Sequence, residues 1–254
     1  MPIRESKSDA VVLLSGGLDS ATVLAIAMDE GRRCHALAFD YGQRHAMEVR
    51  RAADIAGALG ADSFRTAEID PRIFGDAALL SAGAPIPKDG SADVCPDGPA
   101  PSTYVPARNL IFLSHALALA EVLAAREIWI GVNSVDYGGY PDCRPEFIDS
   151  FEKTANFATA AGAGGQTRFR IRAPLQTLGK GEIIRKGLSL GVNYALTLSC
   201  YDPDPAGRAC GRCNACRVRL RGFGDAGVAD PAPYQPVEKG RIGAANKKAR
   251  ERQG

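Results

Sequence analysis

No stretch of this 254-residue sequence approaches the ~18 to 20 consecutive apolar residues that a membrane-crossing helix needs, which excludes a spanning segment. The first residues, Met-Pro-Ile-Arg-Glu-Ser-Lys-Ser-Asp, lack the apolar centre of a secretory leader, and a cytoplasmic location is expected. Histidine is scarce: His35, His45 and His115 share no metal-ligand spacing, so an imidazole-built metal centre is not expected. His45 sits beside a candidate site, where a ligand contact stays open, and His115 falls in an apolar pattern as a hydrogen-bonded core residue. Charge of one sign is also missing. With 31 basic against 29 acidic residues the formal net charge is +2, which argues neither for nor against a polyanionic partner. No Gly-Lys-Ser/Thr closes the early glycine-rich turn, so the common nucleotide P-loop is excluded.

What is present describes an ordinary globular chain, 45% hydrophobic and 24% charged, long enough to bury a substantial core. Short β-like apolar runs alternate with longer helical ones. Strands are expected at Val11–Leu14, Cys34–Phe39, Ser63–Ile69 (the weaker signal), Glu127–Val132 and Arg168–Ala173. Helices are expected at Ser20–Glu30, Ala46–Leu59, Asn109–Ala125 (apolar on most faces, hence buried), Pro145–Ala161 and Gly181–Leu190. Repeated βα units imply an α/β fold: a Rossmann-like parallel sheet with helices on both faces, and ligands at the carboxyl ends of the strands. The expected division is a nucleotide-binding domain over 1–195, a small metal-held unit over 196–222 and an irregular basic tail over 223–254. Residues 70–107, rich in proline and glycine, break the rhythm and read as a long loop, either a lid or a mobile insertion. Basic residues gather late (Lys239, Lys247, Lys248, Arg250, Arg252), as a solvated terminus or an RNA contact, the former being the plainer reading.

The most informative segment is Leu14-Ser15-Gly16-Gly17-Leu18-Asp19-Ser20, between the first strand and the first helix. Two glycines let the backbone approach an anion with no Cβ in the way, and a helix N-terminus presents unpaired N–H groups. Ser-Gly-Gly-x-Asp-Ser resembles the pyrophosphate loop of enzymes that split ATP into AMP and pyrophosphate.

Seven cysteines are distributed unevenly. Cys210, Cys213 and Cys216 lie three residues apart, with Cys200 ten residues upstream. Four thiolates close a tetrahedron and leave no open position, so zinc in a structural role is expected; an iron–sulfur cluster and a redox pair are the alternatives. Arg208, Arg212, Arg217, Arg219 and Arg221 surround the cluster, to offset its negative charge or to touch a polyanion. Cys34 reads as a small core residue, and Cys95 has no evident role.

Further blocks extend the picture: Phe39-Asp40-Tyr41-Gly42-Gln43-Arg44-His45, Tyr104-Val105-Pro106-Ala107-Arg108-Asn109, Gly131 through Phe147 with Tyr140-Pro141-Asp142-Cys143-Arg144 inside it, and Pro174-Leu175 to Lys180. Together with the loop and the cysteines, these resemble the 7-cyano-7-deazaguanine synthase family of queuosine and archaeosine precursor synthesis, within the superfamily of pyrophosphate-loop ATP pyrophosphatases. The likeness covers roughly residues 10 to 220; beyond about Gly222 nothing matches.

The resemblance implies that 7-carboxy-7-deazaguanine, ammonia and ATP yield the nitrile. Ser15 to Ser20 with Leu14 would hold the β,γ-phosphates, and Asp19 would lie near Mg²⁺. Arg108 and Lys180 are the candidates to neutralise the α-phosphate and departing pyrophosphate, and adenine would sit near Phe39 and Asp40. Asp136, Tyr137, Asp142 and Arg144 would meet the deazaguanine, with loop packing or an Asp142–Arg144 pair as their structural alternative. No Cys-His-Glu glutaminase triad is present, so ammonia would arrive free, and the family likeness implies a homodimer. Three other readings compete: a tRNA-thiolating ATP pyrophosphatase, for which Cys143 is the one suitable thiol, a nucleic-acid-binding zinc module on an inactive nucleotide fold, and a relative that uses the same chemistry on a protein or another carboxylate.

Overall fold

Alternation along the first strand sorts the core into two faces. In the computed structural model, which describes residues 8–43, 47–80, 85–89, 101–133 and 140–236, Ala10 and Val12 point to one side and Val11 and Leu13 to the other. Strand β1 (Asp9–Leu13) pairs in parallel with β2 (Arg33–Asp40) on one edge and β4 (Glu127–Trp129) on the other. Parallel pairings with β3 (Ser63–Glu68) and β5 (Arg170–Arg172) complete a five-stranded sheet of order β3-β2-β1-β4-β5. Small residues (Ala10, Ala36, Ala38) on the first face admit close helix approach, and bulky ones (Leu37, Phe39, Ile128, Ile171) fill the second.

The helices are α1 (Leu18–Asp29), α2 (Met47–Leu59), α3 (Arg108–Val122), α4 (Pro145–Ala158), α5 (Ala160–Ala163), α6 (Lys180–Ser189) and α7 (Asn214–Ala226). The first face is covered by α1, α2, α6 and α7, the second by α3 and α4. The chain winds outward from β1 to β3, then returns across β1 to build β4 and β5. Winding therefore reverses at β1, and a crevice opens beyond its carboxyl end.

Several boundaries differ from expectation. The helix expected over Pro145–Ala161 breaks at Thr159, which adopts extended geometry (φ −104°, ψ 151°) and accepts from the Gly162 N–H to start α5. Helix α7 was not foreseen, and it runs through the expected boundary at position 222 to Ala226, where Gly227 (φ 74°) ends it. Its buried face (Cys216, Arg219, Gly222, Phe223) packs on α6; Gly222 lies against the stem of Lys180, where a Cβ would collide. The four cysteines form a small core of their own, and α7, which carries both Cys216 and Phe223, joins it to the first-face core. His115 is exposed on α3 rather than buried, its Nδ1 2.9 Å from the Ile111 carbonyl, and Val122 on the same helix is 80% exposed. That helix covers one sheet face only, and its outer side is left to solvent.

The described parts of the 70–107 segment are packed. Asp70 accepts from Arg72 N to cap a short 3-10 turn at Pro71–Phe74, and Phe74, Leu80 and Val105 join the second core. Ile86 reaches the cysteine cluster, and Asp89 donates its N–H to the Arg212 carbonyl at 3.1 Å. Among the described residues no helix is long and apolar enough to cross a membrane.

Candidate active site

The turn after β1 is shaped by Gly16. Its φ is +80°, and a Cβ there would stand 2.5 Å from the Glu48 carbonyl, so α2 approaches the loop as closely as glycine permits. Ser15 and Ser20 close the turn: Ser15 N donates to Ser20 Oγ at 3.1 Å, and Ser20 Oγ donates to the Gly17 carbonyl at 3.1 Å. Gly17 caps α1 without a side chain, and the first N–H accepted within that helix region is Ala21 N, on Gly17 O at 3.2 Å. The N–H groups of Leu18, Asp19 and Ser20 precede the ladder, and these three residues line the cavity described next. Leu198 N ties the turn from outside, donating to Gly16 O at 2.9 Å. Gly16→Ala is expected to weaken ATP binding at least tenfold, since a strained φ costs about 1–2 kcal/mol before the clash with α2 is counted; titration calorimetry with ATP measures it.

This turn forms one end of a cavity of about 290 Å³. Its walls come from the carboxyl ends of β1, β2 and β4 (Leu14, Phe39, Gly131), from α3 (Arg108, Phe112), and from Lys180, Leu198 and Arg219. Phe39 stacks flat on Phe112, with ring centroids 3.9 Å apart, and forms an apolar wall. Asp40 lies outside the lining, exposed at the rim, and accepts from Gly42 N at 3.3 Å.

Lys180, the first residue of α6, donates to both carboxylate oxygens of Asp19 at 2.8 Å. This pair joins the N-termini of α1 and α6 at the cavity wall. The two residues singled out from sequence thus meet, with each supplying the other's counter-charge.

Arg108 opens α3 and faces Tyr41, Tyr140 and Cys143. Burial lowers its affinity for a proton, but those neighbours outweigh burial, and it stands above the ordinary arginine range. Glu48, in the first turn of α2, also lines the cavity. Burial pushes its carboxyl up to about 7, against the opposing pull of Arg108. Tyr41 is likewise raised by burial, with Arg108 pulling the other way. Glu48 and Phe112 were not legible as site residues, because each lies inside a segment read only as a helix, and Tyr41 and Tyr140, though within the blocks that carry the resemblance, have no role assigned from sequence.

Asp142 and Arg144 are not in the cavity lining. Asp142 is buried and accepts from Asn109 N at 2.8 Å, the N-terminal turn of α3, while Asn109 Nδ2 donates to the Asp142 carbonyl at 3.1 Å and to Cys143 Sγ at 3.2 Å. Arg144 is exposed at the start of α4. They do not pair with each other among the ion pairs of the described residues. Asp136 and Tyr137, with His45, Cys95 and the basic tail from Lys239, lie outside the described residues.

The sulfur atoms of Cys200, Cys210, Cys213 and Cys216 all lie within 4.8 Å of one another, and all four residues are buried. Backbone N–H groups point at them: Cys210 N reaches Cys200 Sγ at 3.2 Å and Cys213 N reaches Cys210 Sγ at 3.3 Å. Cys213 is held well below the ordinary thiol range by hydrogen bonds from Cys200 and Cys216. Four converging soft donors with amide support fit a tetrahedral zinc site with no open position.

Three of the five arginines near this cluster pair with carboxylates. Arg212 pairs with Asp89, Arg208 with Asp204 and Arg219 with Asp230. Arg219 is 3% exposed and holds much of this corner: Nε and Nη2 donate to Asp230 at 2.8 and 2.9 Å, Nη1 to Thr197 Oγ1 at 2.7 Å, and Nη2 to the Tyr194 carbonyl at 3.1 Å. It therefore fixes the 194–199 segment from which Leu198 grips the phosphate loop. Arg219→Ala strands a buried carboxylate and is expected to cost about 3–5 kcal/mol of stability, read by denaturant unfolding.

The family described as Queuosine biosynthesis protein QueC matches residues 9–227. The chain belongs to this family. Among QueC relatives, the 7-cyano-7-deazaguanine synthase of Paramagnetospirillum magneticum is 59% identical over 225 residues, covering 89% of this chain and 98% of that protein. The proteins of the same name from Geobacter sulfurreducens and Pseudomonas syringae pv. syringae are 58% and 53% identical, covering 89% and 91% of this chain and 92% and 98% of theirs. The QueC match ends at residue 227, the residue where α7 stops, so the family's common core includes the helix that sequence patterning missed.

Proposed function

We propose that this chain converts 7-carboxy-7-deazaguanine and ammonia to 7-cyano-7-deazaguanine at the expense of ATP, as a C–N bond-forming ligase. The observation that carries the reading is 59% identity to a protein of that name across nearly its full length. The cavity supports it physically. Both carboxylate oxygens of the substrate must leave to make a nitrile, and neither is a leaving group at neutral pH. Each becomes one when its oxygen attacks the α-phosphorus of ATP, releasing pyrophosphate and leaving an adenylate. Ammonia displaces the first AMP and gives an amide; adenylation of the amide oxygen then permits elimination. One site used twice suffices, and two ATP are consumed per nitrile.

In this reading the N–H groups at Gly17 to Ser20, with the Ser15 and Ser20 hydroxyls, receive the β,γ-phosphates. Lys180 and Arg108 offset charge on the leaving pyrophosphate and the α-phosphate. Asp19 would hold Mg²⁺, adenine would pack along the Phe39 wall near Asp40, and Asp136, Tyr137 and Arg144 would contact the deazaguanine. Asp142 acts by holding the first turn of α3, and hence Arg108, in place. Zinc on the four cysteines supplies folding energy rather than chemistry. The working form is a cytoplasmic homodimer that takes free ammonia, with no nucleic-acid partner.

The test is mass spectrometry after incubation with 7-carboxy-7-deazaguanine, ammonium and Mg-ATP. Nitrile with two AMP per product is expected. AMP without amide or nitrile would remove the assigned substrate and spare the fold. Sulfur transfer to tRNA by a coloured protein would favour the thiolation reading instead.

A further inference from the structure

The reaction sheds protons as well as oxygens, and the groups discussed so far offer nowhere for them to go. Attack by ammonia on an acyl-adenylate forms a C–N bond and leaves a positively charged nitrogen. One proton must depart before the C–O bond to AMP breaks with its electron pair. In the second round, the adenylated amide loses one N–H proton to become an imidate. It loses the other as AMP departs and the nitrogen's electrons complete the C≡N bond. A base facing the reacting nitrogen is needed at each of these steps.

The candidates lining the cavity can be sorted by what already occupies them. Asp19 is engaged by Lys180 through both oxygens. Arg108, Lys180 and Arg219 are cations, and Tyr41 is raised by burial, so it is protonated at neutral pH. Cys143 accepts from Asn109 Nδ2. Glu48 remains. Its backbone abuts the phosphate loop at Gly16, it lines the same cavity as Ser15 and Gly17, and its carboxyl feels Arg108, the cation assigned to the α-phosphate. That puts a carboxylate in the same cavity as the phosphate loop and as the cation assigned to the α-phosphate.

We propose that Glu48 is the ammonia-handling base of the reaction: its carboxylate accepts a hydrogen bond from the incoming free ammonia, takes the proton lost by nitrogen at each displacement, and returns it to solvent before the next. This rests on the ligase reading above. The environment suits the task. Burial favours the neutral acid and Arg108 favours the anion, and the balance at about 7 leaves a group that takes and returns protons near neutral pH. The other titratable or charged groups on the cavity wall are Asp19 of α1, Tyr41 after β2, Arg108 of α3, Lys180 of α6, Arg219 of α7, and Tyr140, Cys143 and Tyr201 from loops.

The experiment compares wild type with Glu48→Gln, which keeps shape and removes the base, in three assays of the full chain with 7-carboxy-7-deazaguanine and Mg-ATP. Exchange of pyrophosphate into ATP reports adenylation and should be unchanged. Amide and nitrile formation from ammonium should fall by about 10²–10⁴-fold, the range for loss of a general base. Hydroxylamine, whose conjugate acid is far more acidic than ammonium, sheds its proton to water after attack, and hydroxamate formation should be retained. In wild type, the ammonia-dependent rate per free ammonia should show an acid limb near pH 7 that hydroxamate formation lacks. Equal loss of exchange, hydroxamate and amide would make Glu48 part of the scaffold and overturn the proposal. So would an undiminished rate with ammonium, or a flat wild-type profile, which needs no variant at all. Wild type that forms neither exchange nor hydroxamate would instead overturn the ligase reading itself.

Discussion

Lys180→Ala should lower AMP formation by about 10²–10³-fold, the loss typical when one donor to developing charge is removed. Two effects add in that variant. The pyrophosphate loses a cation, and the Asp19 carboxylate, normally held by Lys180 at 2.8 Å through both oxygens, is left facing the triphosphate. Asp19→Ala should also abolish most turnover by removing the carboxylate assigned to Mg²⁺, but it leaves Lys180 free to bind phosphate. Because the two share one contact, the double variant is expected to lose less than the sum of the singles, with a coupling of about 0.5–3 kcal/mol. Steady-state AMP release and ATP calorimetry on all four proteins measure the cycle. Strict additivity would mean that the pair is incidental to catalysis, and near-normal release by Asp19→Ala would end its metal role.

The Asp19–Lys180 pair also illustrates what the sequence could and could not say. Each residue was visible separately: Asp19 because Ser-Gly-Gly-x-Asp-Ser sits between an apolar run and a helical pattern, Lys180 through the block after Pro174. That they touch depends on α1 and α6 lying side by side on one sheet face, a tertiary fact separated by 161 residues. The central strands β1 and β2 were legible because parallel strands buried on both faces are plain apolar runs, whereas the edge strand β3, partly exposed and polar, gave the weaker signal. The strand order was not legible, since nothing local records that the chain returns across β1 after β3.

Helix α7 was missed for a physical reason. Its inward face includes Cys216, Arg219 and Gly222, none of which counts as apolar in a periodicity argument. Arg219 is buried only because Asp230, eleven residues on in what read as an irregular tail, turns back to meet it. A buried charge looks like a surface charge until its partner is seen. Glu48 is a similar case: in sequence it is an acidic first-turn residue of an amphipathic helix, and its place in the cavity lining shows only in the fold.

Stripping the metal should have the largest effect on stability. Binding energies of structural zinc sites run to about 10–16 kcal/mol, comparable to the whole net stability of a domain at about 5–15 kcal/mol. Four buried thiols lie within 4.8 Å of one another, and beyond amide hydrogen bonds and a small apolar cluster it is the shared ion that would join them. The damage should not stay local. Cys200 follows Leu198, whose N–H grips Gly16, and Cys216 lies one turn before Arg219, which fixes Thr197 and Tyr194. The metal site, the 194–199 segment and the phosphate loop therefore form one chain of contacts, and loosening the first releases the last. Chelation, or Cys213→Ser, is expected to remove zinc, abolish the cooperative melt and eliminate ATP binding together. Cys34→Ser should leave the zinc content intact, since that thiol lies in the first-face core and outside the cluster. A zinc-free protein that melts normally would contradict the structural assignment. One that loses stability yet binds ATP with unchanged affinity would show instead that the Leu198–Gly16 contact carries no strain from the metal site to the nucleotide.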